Sequence, residues 1–519
     1  MRHICDPCVN IFCGMGSKSI KIPINQEKQR SLRTIFLTGA TGVMGGEGLR
    51  RIAEVPGRYK IRLLVRPSKT NHKKLAPYLD REDVTVVWGD LLNADDVKRA
   101  MGDSDTVLHV GGMVSPKADH YPERTMHVNV TAARNVVDAV KARKDADEVR
   151  VVYIGSVAQI SCHDEPYHWG RSGDPLVASE FDYYAVSKIL AERVFAESGL
   201  KHWVSLRQSG ILHPGLLFKG NDPITFHVPL RGVLEWATME DSGRLLEALC
   251  NDDIPEEFWR NFYNISSGAD YRLSNYRFEQ LLLKAIGCPS PEKVFDTNWF
   301  ATRNSHGCWY TDADRLEEMV PFRENMPVEK YFDKLAAGMP AYFKLAKIVP
   351  AALIKMVMKR VALTEGLGTL SWLRSDRYED KVRAFFGGRE AQAEIPDWEH
   401  FPLEEPSHEP LLLNHGYDEL KPDEALDIND MRSVAEYRGG KCLSESMTPG
   451  DLDTPLEWEC AFGHRFRLTP RSVLKGGHWC EQCQPAYMEK DGIPGRGAWH
   501  YDEESRRNPF LAQIWKQVD

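Results

Sequence analysis

The chain has 519 residues, of which 42% are hydrophobic and 27% charged. That is too long for one typical domain and long enough to bury a sizeable core. A formal net charge of −9 argues against a general binder of nucleic acid or anionic membrane, and no apolar run of about 18 residues or signal-peptide pattern occurs. A cytoplasmic protein is expected, with its 11 cysteines as free thiols or metal ligands instead of disulfides.

Residues 1–32, with Cys5, Cys8 and Cys13, read as a disordered leader. The first predicted strand, Thr34-Ile35-Phe36-Leu37, runs directly into Thr38-Gly39-Ala40-Thr41-Gly42-Val43-Met44-Gly45. Strand, glycine turn and helix in that order place a dinucleotide pyrophosphate on exposed backbone N–H groups at the positive end of a helix dipole. Gly39 permits the turn, Gly42 lets the backbone approach the phosphates, and Gly45 lets helix and strand pack. Thr41, Val43 and Met44 complete the loop. After the second strand, Lys60–Val65, an NAD site would place an acid on the ribose hydroxyls. Here stands Arg66, with Lys69 close behind, and a guanidinium grips a 2′-phosphate bidentately, so NADP(H) is expected over NAD(H). Strand-like runs then alternate with helical segments to about residue 215, the pattern of an α/β doubly wound parallel sheet.

Within that alternation, Tyr184-Ala185-Val186-Ser187-Lys188 puts a phenol and an ammonium one helical turn apart. A nearby cation favours the ionised phenol, giving an acid/base suited to a carbonyl or alcohol. Ser156 ends the strand-like run Val149–Ile154 and offers a hydroxyl at the ligand crevice of a parallel sheet.

With these motifs in order, the chain from about 33 to 330 resembles the extended short-chain dehydrogenase/reductases, a group holding nucleotide-sugar epimerases and dehydratases, dihydroflavonol-type reductases and 3β-hydroxysteroid dehydrogenases. Gly89-Asp90-Leu91 is similar to the segment that contacts adenine, Val107–Gly112 to the fourth strand and its turn, and Asn129–Val136 to the helix whose Asn129 supports the active site. Gly111 and Gly112 stand where the family more often has alanines. Ser156, Tyr184 and Lys188 align with the catalytic trio; Leu206-Arg207-Gln208 resembles the strand beside the nicotinamide, with Gln208 replacing the usual proline. The resemblance implies a Rossmann fold with a small α/β substrate lobe from about 207, which takes in Met239–Gly243, Phe262–Ile265 and a helix from Asn275 to Gly287. It also implies NAD(P)-dependent reduction of a carbonyl, or oxidation of a secondary alcohol, on a small molecule. A homodimer would use the helices around 129–143 and 180–198.

Residues 331–400 form a predicted helical extension in which Ala341–Val349 and Ala352–Arg360 mix apolar and basic positions about a break at Pro350. Such helices cover an apolar substrate, touch a membrane surface, or pack on the main domain. A Glu- and Pro-rich linker, 401–430, leads to a module at 431–485 resembling zinc-ribbon or treble-clef domains. Cys460, His464, Cys480 and Cys483 suit tetrahedral Zn²⁺, with Cys442 competing for His464's place. The metal is expected to be structural and the module to fold on it independently of the main domain, followed by a tail, 486–519. Two other functions share these features. One is a nucleotide-sugar epimerase or dehydratase with bound NAD; the other is an NADP(H)-sensing regulator that contacts nucleic acid or protein through Lys441, Arg465, Arg467, Arg471 and Lys475.

Overall fold

Continuous apolar runs flanked by amphipathic helices become parallel strands because both sheet faces are covered. A computed structural model describes residues 32–160, 163–218, 222–340, 347–486, 489–490, 493–494 and 499–517. The readings made on residues 1–31, including Cys5, Cys8 and Cys13, and most of the first amphipathic helix (341–346) lie outside these residues. Seven strands form one sheet: β1 (Thr34–Thr38), β2 (Lys60–Val65), β3 (Val84–Trp88), β4 (Thr106–His109), β5 (Arg150–Ser156), β6 (His202–Gln208) and β7 (Asn261–Ile265). Their order is β7-β6-β5-β4-β1-β2-β3, with every neighbouring pair parallel. The order reverses between β1 and β4, so their carboxyl ends open the crevice in which a doubly wound sheet binds its ligand.

Helix α1 (Val43–Ile52) leaves β1, α2 (Lys69–Leu75) follows β2 and α3 (Ala94–Met101) follows β3; α4 (Pro122–Lys141) and α5 (Tyr183–Ala196) pack side by side; α6 (Met239–Ala248) lies against α1. The segment Phe262–Ile265, expected in the substrate lobe, is instead the fully buried edge strand β7, paired with β6. Its burial between helices outweighs the broken alternation before it. The lobe is smaller than expected and centres on α7 (Asn275–Ile286), which starts at the Ser274 cap and stops at Gly287, φ +75°.

Residues 33–519 form one compact unit. The helix Ala351–Ala362 packs Ile354, Met358, Val361 and Ala362 on Phe226, Phe295 and Trp299, so its apolar face is spent on the lobe; Leu353, Met356 and Val357 remain exposed. No helix among the described residues is long and apolar enough to cross a membrane. The stretch expected to be a linker is laid along the main domain: Leu413 and His415 are buried, and His415 Nε2 lies 2.8 Å from Asp174 Oδ1. The tail is likewise core, since Trp499, Tyr501, Leu511, Ile514 and Trp515 cluster with Tyr183, Tyr184 and Ile189 of α5. That cluster and the C-terminal module occupy the outer side of α5. Of the two helices expected to pair two copies, these residues cover part of α5.

Candidate active site and metal centre

The glycine turn is held from beneath. Thr38 Oγ1 lies 3.1 Å from His109 Nδ1 and accepts the Gly111 N–H at 2.9 Å, tying the end of β1 to the turn after β4. Gly39 has φ +75°, and a Cβ on Gly45 would lie 2.3 Å from the Gly39 carbonyl oxygen, so α1 can back onto the turn only without a side chain there. Gly42 caps α1 with no side chain competing for the first N–H groups and no acid in the first turn. Thr41, Val43, Met44, Arg66, Asp90, Leu91 and Gly111 all line the same cavity of about 720 Å³. Arg66 is exposed on its rim and has no acidic partner among the described residues; Lys69 opens the next helix and does not line the cavity. Lys74, which sequence reading passed over, donates to the Thr41 carbonyl at 2.6 Å.

Ser156, Tyr184 and Lys188 open on the same cavity, opposite the turn. Ser156 ends β5 and its Oγ accepts the Ala158 N–H at 3.2 Å beside the Tyr184 phenol, while Lys188 Nζ donates to the Ile154 carbonyl at 2.8 Å. Asn129 does not reach the cavity. Its Nδ2 donates to Met113 O at 3.0 Å and to Ser187 Oγ at 2.8 Å, fastening the turn after β4 to the catalytic helix. Burial pushes the Tyr184 phenol well above the ordinary range; the Ser156 hydrogen bond opposes the shift, and Asp182 and Asp119 add to it. The expectation of a phenol lowered by Lys188 is corrected: the ammonium is occupied by a backbone carbonyl, and desolvation dominates. Burial also lowers Lys188 to about 8, with Glu192 pulling the other way.

The back of α5 is a buried ionic network. Glu192, one turn beyond Lys188, accepts from Arg207 at 2.7 and 3.0 Å and from Ser205 at 2.6 Å, and lies 3.0 Å from His478 Nε2. Burial alone would raise its carboxyl; Arg207 and His478 reverse this and hold it below the usual range. Arg207 also donates to the Gly476 carbonyl at 2.6 Å, and Arg193 to that of Trp479 at 2.8 Å. Gly476, His478 and Trp479 belong to the C-terminal module, which is thus docked directly on the catalytic helix. Glu192 stands one helical turn from Lys188 but pairs with Arg207, and neither Arg207 nor His478 was legible in the sequence as its partner.

In the module, an antiparallel sheet of Lys441–Cys442, Leu456–Glu459 and Arg465–Leu468 presents the ligand loops. Cys460, His464, Cys480 and Cys483 bring one donor atom each within 4.8 Å of all the others. The separations are 3.6 Å for Cys460 Sγ to Cys483 Sγ, 3.7 Å for Cys480 Sγ to His464 Nδ1, and 3.4 Å for Cys483 Sγ to His464 Nδ1. Metal–ligand bonds of about 2.3 Å to sulfur and about 2.0 Å to nitrogen give tetrahedral edges of this size. Cys442 stands apart, paired with Trp458 across the sheet. Four of the module's cations face acids: Lys441 and Arg465 meet Glu459, Arg471 meets Asp453, and Lys475 meets Asp423.

The sheet order brings the glycine turn, Ser156, Tyr184 and Lys188 around one cavity. Residues 35–209 match the NAD dependent epimerase/dehydratase family. This segment includes the glycine turn and all three of these side chains. The chain is 28% identical over 224 residues to a 2-alkyl-3-oxoalkanoate reductase of Shewanella oneidensis, covering 40% of this chain and 53% of the reductase. It is 29% identical over 170 residues to 3 beta-hydroxysteroid dehydrogenase type 7 of Rattus norvegicus, covering 31% and 48%. The chain therefore spans about half the length of the curated relatives it matches. Among solved structures, a dTDP-glucose 4,6-dehydratase from Streptomyces venezuelae with NAD bound aligns with a TM-score of 0.47 at 19% identity, over 58% of this chain and 95% of that one.

Proposed function

We propose that this protein is an NADP(H)-dependent oxidoreductase that reduces the ketone of a small, largely apolar substrate and, in reverse, oxidises the secondary alcohol. The observation that carries the reading is that Ser156, Tyr184 and Lys188 open on the cavity that also holds the glycine turn. When bound, the nicotinamide supplies or accepts the hydride. Ser156 orients the substrate oxygen and the Tyr184 O–H gives it a proton, as general acid catalysis requires. Lys188 sets the charge beneath the phenol. Leu216, Ile224, Val228, Leu273 and Leu282 make the substrate half of the cavity apolar, which favours a ketone of this kind over a nucleotide sugar. The test is NADPH oxidation against a panel of aliphatic and alicyclic ketones. Tightly retained NAD together with turnover of a nucleotide sugar would replace this reading with the epimerase one.

Arg66 supports the choice of cofactor. Arg66→Asp is expected to weaken NADPH binding at least tenfold and to leave NADH within a few-fold, because only NADPH carries the phosphate that a bidentate guanidinium recognises. Equal losses in fluorescence titrations with both nucleotides would give Arg66 a role in the fold alone.

Lys188 sets a pH limit. Held at about 8, it is charged below that value and neutral above it, so ketone reduction is expected to fall as pH rises through about 8. A kcat profile flat to pH 10, well beyond that value, would show that the ammonium contributes nothing to the step.

The cluster Cys460, His464, Cys480 and Cys483 is assigned to one structural Zn²⁺ with no open coordination position. Four cations of the module meet carboxylates, which disfavours the nucleic-acid alternative.

A further inference from the structure

Along α7, Asn275, Glu279 and Leu282 recur at the spacing of one helical face, and all three line the cavity. Asn275 donates to the Val228 carbonyl at 3.0 Å, and Leu282 is apolar. Glu279 is different. It is 4% exposed, yet its carboxyl has no hydrogen-bond or ion-pair partner among the described residues. Its own helix offers Arg277, which is taken by Glu329, and Lys284; neither reaches it. The other titratable residues lining the cavity are Arg66, Asp90, Arg124, Tyr184, Lys188, His213, Asp222 and His306, and none pairs with it. Its wall neighbours are apolar: Phe278 stacks on Trp236 at 4.4 Å, beside Leu273.

A buried carboxyl with nothing to bond is destabilising, and one aimed into a cavity acquires its partner from what the cavity binds. We infer that Glu279 anchors a second polar group of the substrate, a neutral hydroxyl or carbonyl separate from the reacting ketone, at one end of an otherwise apolar molecule. This rests on the reductase reading above and narrows its substrate class. Neutrality of the partner follows from the surroundings. With no cation near, burial raises the Glu279 carboxyl to about 8, so at neutral pH it is an acid that both donates and accepts. A substrate carboxylate would repel it once ionised, whereas an ammonium would pair with it only after the carboxyl had lost its proton to solvent.

The test uses the full chain saturated with NADP⁺ and 2-alkanones of about eight to twelve carbons, lengths that suit a cavity of this size. Each is tested plain, with a terminal hydroxyl, or with a terminal amine, and affinity is measured by calorimetry. The hydroxylated members are expected to bind about tenfold tighter than plain ketones of equal length. Glu279→Leu should erase that preference without weakening the plain ketones; Glu279→Gln should keep most of it. Both variants should bind NADPH as the parent does. Equal affinity for plain and hydroxylated probes overturns the inference. So does a preference that survives Glu279→Leu, a preference for the amine, or no binding by any probe. If either variant fails to fold, the ranking by the unmodified protein still decides. Probes that bind through Glu279 but are not reduced when NADPH replaces NADP⁺ would remove the reductase reading and leave the anchor in place.

Discussion

Tyr184→Phe is expected to lower kcat for ketone reduction by about 10² to 10⁴, the usual contribution of a positioned general acid, while leaving NADPH affinity within a few-fold. The hydroxyl sits between Ser156 and the cavity, and its burial keeps the proton in place at neutral pH. The nucleotide is expected to depend instead on the glycine turn, Arg66 and Lys188, none of which the substitution touches. The ring remains to fill its place in the cluster with Tyr183 and Trp499, so the fold should tolerate the loss. Single-turnover measurements with preloaded NADPH separate chemistry from binding. Retention of more than about a tenth of the parent rate would exclude Tyr184 as the proton donor.

Loss of the metal should have the second largest effect, and not only on the module. Chelation, or Cys483→Ser, frees the loop that carries Gly476, His478 and Trp479, and with it the partners of Arg207, Glu192 and Arg193. Arg207 and Glu192 are both fully buried, and leaving a buried group short of a hydrogen bond costs about 1–3 kcal/mol. Thermal midpoint and NADPH affinity should therefore fall together, with hydrogen exchange rising along α5. His478→Ala, which leaves all four ligands in place, distinguishes docking from metal binding. It should retain one equivalent of zinc by elemental analysis and still weaken the cofactor, since Glu192 keeps its charge and loses a hydrogen bond worth about 1–3 kcal/mol. For the same reason a chain cut near residue 400 is now expected to lose NADPH binding, contrary to an independent module. If that truncated chain binds NADPH like the intact one, the contacts across α5 contribute nothing.

What could be read from the chain itself was local. A strand that ends in glycines at 39, 42 and 45, a Tyr and a Lys one turn apart, and cysteine pairs with tight spacing each carry their chemistry within a few residues, because turns, helical faces and chelating loops are short-range geometry. Arg66 was legible as a cation where an acid would otherwise stand. Periodicity was enough for α1, α4, α5 and α7, and for the parallel strands before residue 209. Long-range packing decided the rest. Phe262–Ile265 joined the main sheet because its burial required helices on both faces, and the Glu- and Pro-rich stretch and the tail became core because Leu413, Trp499 and Trp515 found apolar partners far away in sequence. The phenol of Tyr184 rose instead of falling because desolvation, a property of the folded interior, outweighed a neighbouring charge already satisfied by the Ile154 carbonyl. Strand pairing holds Cys442 opposite Trp458, so it is His464, and not Cys442, that the fold brings within 4.8 Å of Cys460, Cys480 and Cys483.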